Sequence, residues 1–406
     1  MGWKESNVLE ERFRFVEAQR RGEQSIAELC REYGITRPTA YKWLVRYDEE
    51  GIEGLRDRSR APHHPAHGLE EGVKTWILAV KGKHPFWGAR KIVAYLEAQS
   101  PKQKWPAVSS VGELLKQQGL TVPRKRPRRR EAASAPLAHA DSANRVWSVD
   151  FKGWFRTSDG RRCEPFTLTD NYSRYLLRCQ ALPAPTTVQI QPVMVAAFRE
   201  YGLPERIRSD NGAPFGSNGE SGLTALSVWW IRLGILPERI TPGHPQQNGR
   251  HERMHLTLKQ QTALPPAATL RQQQKRFDAF RQEYNSERPH EALGQKPPAQ
   301  FFEASPRPYP ARLPELEYPA DWQTRRVCAG GKFHCGGRAL AFLSHALVGE
   351  RIGLQPIDDR YWRLWFGAYE LGVLDKAQAS IYSPSQWQRW LARQAQRGLP
   401  TPEGPR

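Results

Sequence analysis

Apolar positions near the amino terminus recur at a helical period. Val8, Phe13 and Val16 share one face of the stretch from Asn7 to Gln19, whose opposite face is polar, and this predicts an amphipathic helix. The stretch from Ser25 to Leu44 reads as two short helices around a turn, with Ser25 suited to cap the first, Gly34 to permit the sharp turn and Thr36 to cap the second. Ala40, Trp43 and Leu44 then fall on a packing face and Arg37, Thr39 and Lys42 on an outward one, while Cys30 is small enough for two helices to cross. A second helical unit spans Glu70 to Leu120. It has a turn from Pro85 to Gly88, a helix with Ile92, Tyr95 and Leu96 inward and Arg90 and Lys91 on its basic flank, and a further helix from Val108 closed by Gly119.

After Asn144 the period shortens to two. Trp147 to Gly153 alternates so that Val149 and Phe151 share one face and Asp150 projects from the other. Asp159-Gly160 signals a hairpin, with further strands at 164–169 and 175–179. A helix at 187–200, a strand at 206–209, a helix at 222–233 and a strand at 235–240 follow, so a three-strand meander leads into alternating helix and strand. That order predicts an α/β domain with a mixed sheet. From Thr324 short strand-like runs with turns predict a small β-barrel of about five strands. The resulting division is a helix-turn-helix domain at 1–60, a second at 70–122, a basic linker at 123–145, a catalytic-type α/β core at 146–303, a Pro-rich linker at 304–322, the barrel at 323–376, and a closing helix and tail at 377–406.

Charge sharpens the picture. The 406 residues carry 61 Lys and Arg against 42 Asp and Glu, a net of +19 that makes nucleic acid the first partner to test. The surplus is uneven: residues 1–73 hold 12 basic and 14 acidic side chains, whereas residues 74–130 hold 14 basic and 2 acidic. Its densest stretch contains Arg124, Lys125, Arg126, Arg128, Arg129 and Arg130, which reads as an arm that neutralises phosphates beside a folded DNA reader. The five cysteines form no CxxC pair, so neither a zinc knuckle nor a disulfide framework is indicated. No apolar run approaches the roughly 18 residues of a membrane span, and the start is no secretory signal; a cytoplasmic protein with no membrane partner is expected.

Asp150 on a strand, and Asp210 in Asp-Asn-Gly at the end of another, are each commonplace alone. Carboxylates at strand ends become a candidate Mg²⁺ site when a third acid joins them, because Mg²⁺ prefers hard oxygen ligands. The third is Glu252, on a helix that starts after the Pro/Gly-rich loop from Thr241 to Asn248, with Lys259 at i+7 on the same face as a candidate DNA contact.

These residues carry a resemblance. Asp150 in Trp147-Ser-Val-Asp-Phe, Asp210 in Ser209-Asp-Asn-Gly-Ala-Pro-Phe215, Glu252 in Pro245-Gln-Gln-Asn-Gly-Arg-His-Glu-Arg, and the closing Tyr284-Asn-Ser-Glu-Arg-Pro-His-Glu-Ala-Leu293 are similar to the core of the retroviral-integrase superfamily. With two helix-turn-helix units in one frame, the chain resembles a single-frame bacterial insertion-sequence transposase of the D,D-E type. One departure is the 41 residues between Asp210 and Glu252, longer than many members keep, with the extra length around Phe215 to Leu226. The resemblance implies a ribonuclease-H-like core, with Asp150, Asp210 and Glu252 as catalytic metal ligands. It implies two Mg²⁺ ions roughly 3.5–4 Å apart, with Mn²⁺ as a substitute. It further implies binding of double-stranded DNA at transposon ends and target, 3′-end cleavage and strand transfer, a homo-oligomeric synaptic complex, and a place at the bacterial nucleoid.

Two other readings compete. A DNA-binding regulator would use the same core as an inactive scaffold. His251-Glu-Arg-Met-His255 is also a literal H-E-x-x-H, the zinc-peptidase helix motif, although positions 258 and 261 are Leu and Gln where its extended form needs Gly and His. The peptidase reading leaves Asp150, Asp210 and the basic readers unexplained.

Overall fold

The computed structural model describes residues 7–58, 69–121, 139–217, 222–240, 249–336, 339–399 and 401–402. It contains two compact units, Met1–Glu70 and Glu71–Arg406. The first holds α1 (Val8–Arg21), α2 (Ile26–Glu32) and α3 (Arg37–Glu50), followed by a 3-10 turn at Gly51–Leu55. Ser25 and Glu28 form the reciprocal capping box of α2, and Gly34 has φ +61°, a left-handed conformation that side chains rarely adopt. Thr36 stands at the start of α3 without capping it: its hydroxyl pairs with Thr39 Oγ1 at 2.9 Å instead. Phe15, Val16, Leu29, Cys30, Ala40, Trp43 and Leu55 form the core. Val8, expected on the buried face, is 59% exposed because it opens the first turn of α1, beyond the reach of the helices that cover Phe15 and Val16.

The second unit begins with α4 (Glu71–Lys83), α5 (Ala89–Gln99) and α6 (Val108–Gln117). Ile77, Trp87, Ile92, Leu96, Val111 and Leu115 are buried among them. Two sets of contacts hold the α4–α5 turn. Lys81 Nζ donates to the carbonyls of Pro85 at 2.6 Å and Trp87 at 2.9 Å, and the rings of His84 and Trp87 stack with centroids 3.7 Å apart.

A mixed sheet follows, built from β1 (Val146–Phe151), β2 (Phe155–Arg156), β3 (Arg162–Asp170), β4 (Leu176–Leu182), β5 (Arg206–Ser209) and β6 (Leu236–Arg239). Its path is β2-β3-β1-β5-β6, with β4 also pairing β3. The meander strands are antiparallel, whereas β1–β5 and β5–β6 are parallel. α7 (Thr187–Tyr201) and α8 (Ala225–Arg232) cover one face, where Ile190, Met194, Phe198, Trp229 and Trp230 pack on Trp147, Val149 and Ile207. α9 (Gly249–Thr262) and α10 (Leu270–Ser286) cover the other, through Met254, Leu258, Phe277 and Phe280 on Cys163, Leu176 and Cys179. Cover on both faces explains why β1 is buried from Val146 to Val149 rather than alternating.

Residues 304–322, expected as a Pro-rich linker, begin as a strap on this domain. Ser305 N–H donates to Tyr201 O at 2.7 Å, Arg307 donates to the carbonyls of Pro204, Leu233 and Gly234, and Tyr309 packs on the core. A Cβ at Gly202 would lie 2.6 Å from Ser305 O, so only glycine lets the strap lie this close.

The carboxyl-terminal part contains β7 (Gln323–Arg326), β8 (Lys332–Gly336), β9 (Ala339–Phe342), β10 (Arg351–Pro356), β11 (Tyr361–Phe366), β12 (Tyr369–Asp375), β13 (Ser380–Tyr382) and α11 (Pro384–Gln396). The strands pair as a five-stranded path β13-β12-β11-β10-β7 beside the hairpin β8–β9. Among the described residues no pairing joins β13 to β7 to close the small barrel expected here. The apolar face is already sealed from outside the module: Leu223, Val228 and Ile231, from in and around α8, share a core with Val327, Phe333, Leu364 and Phe366.

Candidate active site and nucleic-acid interface

β1 and β5 run parallel with Trp147 opposite Ile207 and Ser148 opposite Arg208. Two residues further on, at the carboxyl ends of both strands, this register brings Asp150 alongside Asp210. Asp150 accepts the amide of Phe151 at 2.7 Å and Asp210 that of Gly212 at 3.3 Å. Burial pushes the Asp150 carboxyl up to about 7, and the charges of Asp210 and Glu252 push the same way; the Phe151 amide and the Lys152 ammonium oppose them. Burial also raises Asp210. Asp150 on β1 therefore lies in the field of both Asp210, just after β5, and Glu252 on α9. Among the described residues, no three His, Cys, Asp or Glu side chains already stand as a metal-holding group.

Glu252 is exposed in the first turn of α9. The helix is held to the sheet by the two histidines that flank it. His251 and His255 are buried, and Nε2 of each meets Thr167 Oγ1, at 2.6 Å and 2.7 Å. Thr167 is the β3 residue paired with Asp150, and its hydroxyl donates to the Asp150 carbonyl at 3.1 Å. A hydroxyl has one hydrogen and two lone pairs, so donating to Asp150 leaves it to accept from Nε2–H of both rings. Burial lowers the His251 pKa to about 3 and drives His255 lower still, which keeps both imidazoles neutral. With both Nε2 atoms engaged by Thr167, the H-E-x-x-H segment anchors α9 to β3 here.

The expected DNA contacts divide by location. Arg37 and Lys42 are exposed on α3, and Thr39 is half-buried against Thr36. Lys259 is exposed on α9. Arg90, exposed on α5, pairs at the surface with the equally exposed Glu291 at 3.1 Å, and the half-buried Lys91 donates to Pro289 O. Lys83 beside them meets Glu287 at 2.8 Å, and His84 Nδ1 lies 3.2 Å from Glu283 Oε1. The basic flank of α5 thus docks the second helical unit on the acidic end of α10, a contact between segments some 200 positions apart that helical spacing does not reveal. Arg124, Lys125, Arg126, Arg128, Arg129 and Arg130 lie outside the described residues. Sequence reasoning passed over Lys152, whose charge acts on both Asp150 and His255; its position two residues after an active-site candidate was the signal that could have found it.

Comparison with known proteins agrees with this architecture. Integrase core domain models match residues 140–245 and 233–298, a helix-turn-helix domain model matches 11–63 and a homeodomain-like domain model 39–115. An uncharacterized 31.7 kDa protein of insertion element IS407 from Burkholderia multivorans is 27% identical over 221 residues, which is 53% of this chain and 75% of the relative. Transposase InsD of insertion element IS2 from Escherichia coli is 25% identical over 272 residues, 64% of this chain and 85% of the relative. The magnesium complex of the HTLV-2 integrase catalytic core is 15% identical with a TM-score of 0.32, covering 40% of this chain and 98% of that one. No described helix is long and apolar enough to cross a membrane. The chain thus carries an integrase core domain across 140–298 behind helix-turn-helix segments, and it is similar to the proteins of bacterial insertion elements, a transposase among them.

Proposed function

We propose that this protein is an active DNA transposase that binds the terminal inverted repeats of its element, cleaves the 3′ ends and joins them to target DNA. The observation that carries the reading is the parallel β1–β5 register that sets Asp150 beside Asp210 at adjoining strand ends, with the charge of Glu252 acting on Asp150. The reaction is a hydrolysis at the transposon end followed by transesterification, in which the freed 3′-hydroxyl replaces a target 3′-oxygen at phosphorus.

The donor set fits Mg²⁺, with Mn²⁺ as a substitute. All three side chains offer hard carboxylate oxygens, and the upward pressure on Asp150 is relieved by a divalent cation beside it. Asp150, Asp210 and Glu252 are the ligands in this reading. When bound, the ions activate the attacking oxygen and stabilise the leaving one. The chain's own task is to surrender the Asp150 proton, hold the two strand ends in register and keep α9 seated so that Glu252 faces the aspartates. Lys259 meets the DNA backbone, α3 reads the repeat through Arg37, Thr39 and Lys42, and the arm at 124–130 neutralises phosphates. Assembly as a homo-oligomer places two ends in one complex.

The test is incubation of purified protein with labelled terminal-repeat DNA and Mg²⁺ or Mn²⁺. Nicking and strand transfer are expected, with Asp210→Asn abolishing chemistry while sparing binding. Binding by the wild type without any nicking would leave the regulator reading in its place. Survival of cleavage in His251→Ala/His255→Ala protein that remains folded would dispose of any role for these histidines as catalytic ligands.

A further inference from the structure

The chain leaving β1 carries Lys152, Gly153 and Trp154 into β2, which lies at the edge of the sheet. Lys152 N–H donates to Pro165 O at 3.0 Å, so the backbone stays tied to β3 just beyond the catalytic strand end. Trp154 is 55% exposed, an unusual place for a large apolar ring. Two guanidinium groups lie over the indole, that of Arg162 at 4.9 Å and that of Arg156 at 5.8 Å from its centroid.

This hairpin is held firmly. Arg156 donates to Gly160 O at 2.7 Å and Arg162 Nε to the buried Glu164 at 2.7 Å. The amides of Ser158 and Asp159 donate to Ala267 and Ala268 carbonyls, both at 3.0 Å, which fixes the tip against the segment between α9 and α10. Arg156 and Arg162 keep further N–H groups for another acceptor. A single exposed ring is far smaller than the roughly 800 Å² per partner that a stable protein interface needs. A half-exposed indole with two guanidinium groups within 6 Å of its centroid, on a hydrogen-bonded hairpin edge, matches the way proteins hold a single nucleic-acid strand, phosphates to the cations and a base on the ring.

Building on the transposase reading, we propose that Lys152, Trp154, Arg156 and Arg162 form a binding strip for the DNA strand next to the scissile phosphodiester, with an unpaired terminal base stacked on Trp154. The strip begins two residues from Asp150, so the strand it holds leads directly to the acids.

The test uses the full chain with duplex DNA ending in the element's inverted repeat, carrying 2-aminopurine at positions flanking the junction, in Ca²⁺ to hold cleavage back. Quenching at one flanking position is expected in the wild type and in Asp210→Asn. Trp154→Ala should abolish the quench and weaken binding roughly 5- to 150-fold, the range set by base–aromatic stacking, while Trp154→Phe restores most of the affinity. Since the ring is exposed, the far-ultraviolet spectrum and Tm of Trp154→Ala should match the wild type. Arg156→Ala should lower the salt slope of binding by about 0.7 to 0.9. Unchanged quench and affinity in Trp154→Ala would overturn the strip and leave the transposase reading intact. A quench that depends on Trp154 in a wild type that never nicks in Mn²⁺ would do the reverse.

Discussion

The hydroxyl of Thr167 on β3 lies 2.7 Å from Nε2 of His255 on α9, and the same oxygen meets His251 at 2.6 Å. One side chain thereby joins the helix that bears Glu252 to the strand paired with Asp150. Thr167→Val keeps the shape but leaves two buried N–H groups without an acceptor, at about 1–3 kcal/mol for each. Urea unfolding should show that loss, and Thr167→Ser should recover most of it. Cleavage at temperatures well below the unfolding midpoint should fall in Thr167→Val because Glu252 is no longer held; full activity there would show that the contact seats the helix without serving the site.

The raised Asp150 carboxyl has a signed consequence for pH. Its folded value of about 7 lies above the ordinary 3.8, so the folded protein holds this proton more tightly than the unfolded chain. Its contribution to stability is fully present below the ordinary value and is lost as pH rises through 7. In metal-free protein, Asp150→Asn should therefore add stability increasingly from pH 4 to 7 and level off above. Mn²⁺ competes with the same proton, so its affinity should fall roughly tenfold per pH unit below 7. Calorimetric titration across pH 5.5 to 8.5 checks this, and an affinity independent of pH would count against Asp150 as a ligand.

Docking of the second helical unit can be dissected by burial. Trp87 is fully buried and stacked on His84, so Trp87→Ala should cost about 3–5 kcal/mol. Lys83 is 58% exposed, and its pairing with Glu287 should contribute only about 0–1 kcal/mol. Chemical unfolding of the two variants measures the contrast. Equal losses would mean that charge, and not the aromatic turn, holds the unit on α10.

Deleting Arg124 to Arg130 should flatten the dependence of DNA binding on salt, by about 0.9 in the log–log slope for each phosphate that the arm neutralises. Titrations between low and moderate salt measure it. An unchanged slope would reduce the arm to a connector.

Local chemistry was legible from residue order alone wherever neighbours along the chain decide it. The Ser25 capping box, the turn at Gly34, the meander and the parallel strands that follow are all set by period and by turn residues. Thr36 misled because the hydroxyl that suits a cap suits a neighbouring threonine equally well. Residues 304–322 misled because a Pro-rich stretch reads as linker unless the surface it will lie on is known.

By itself the sequence determined the class of the protein: helical DNA-reading segments, an integrase core, and acids at the ends of two strands and the start of a helix. These properties follow from spacing within single elements, where covalent geometry dictates which side chains share a face. Only the tertiary structure decided that His251 and His255 close on Thr167, that Arg90 and Lys91 meet Glu291 and Pro289 some 200 positions away, and that Trp154 stays exposed. The physical reason is that a histidine or an arginine has several partners of similar energy. The one it takes depends on which distant surface folding brings within hydrogen-bond reach.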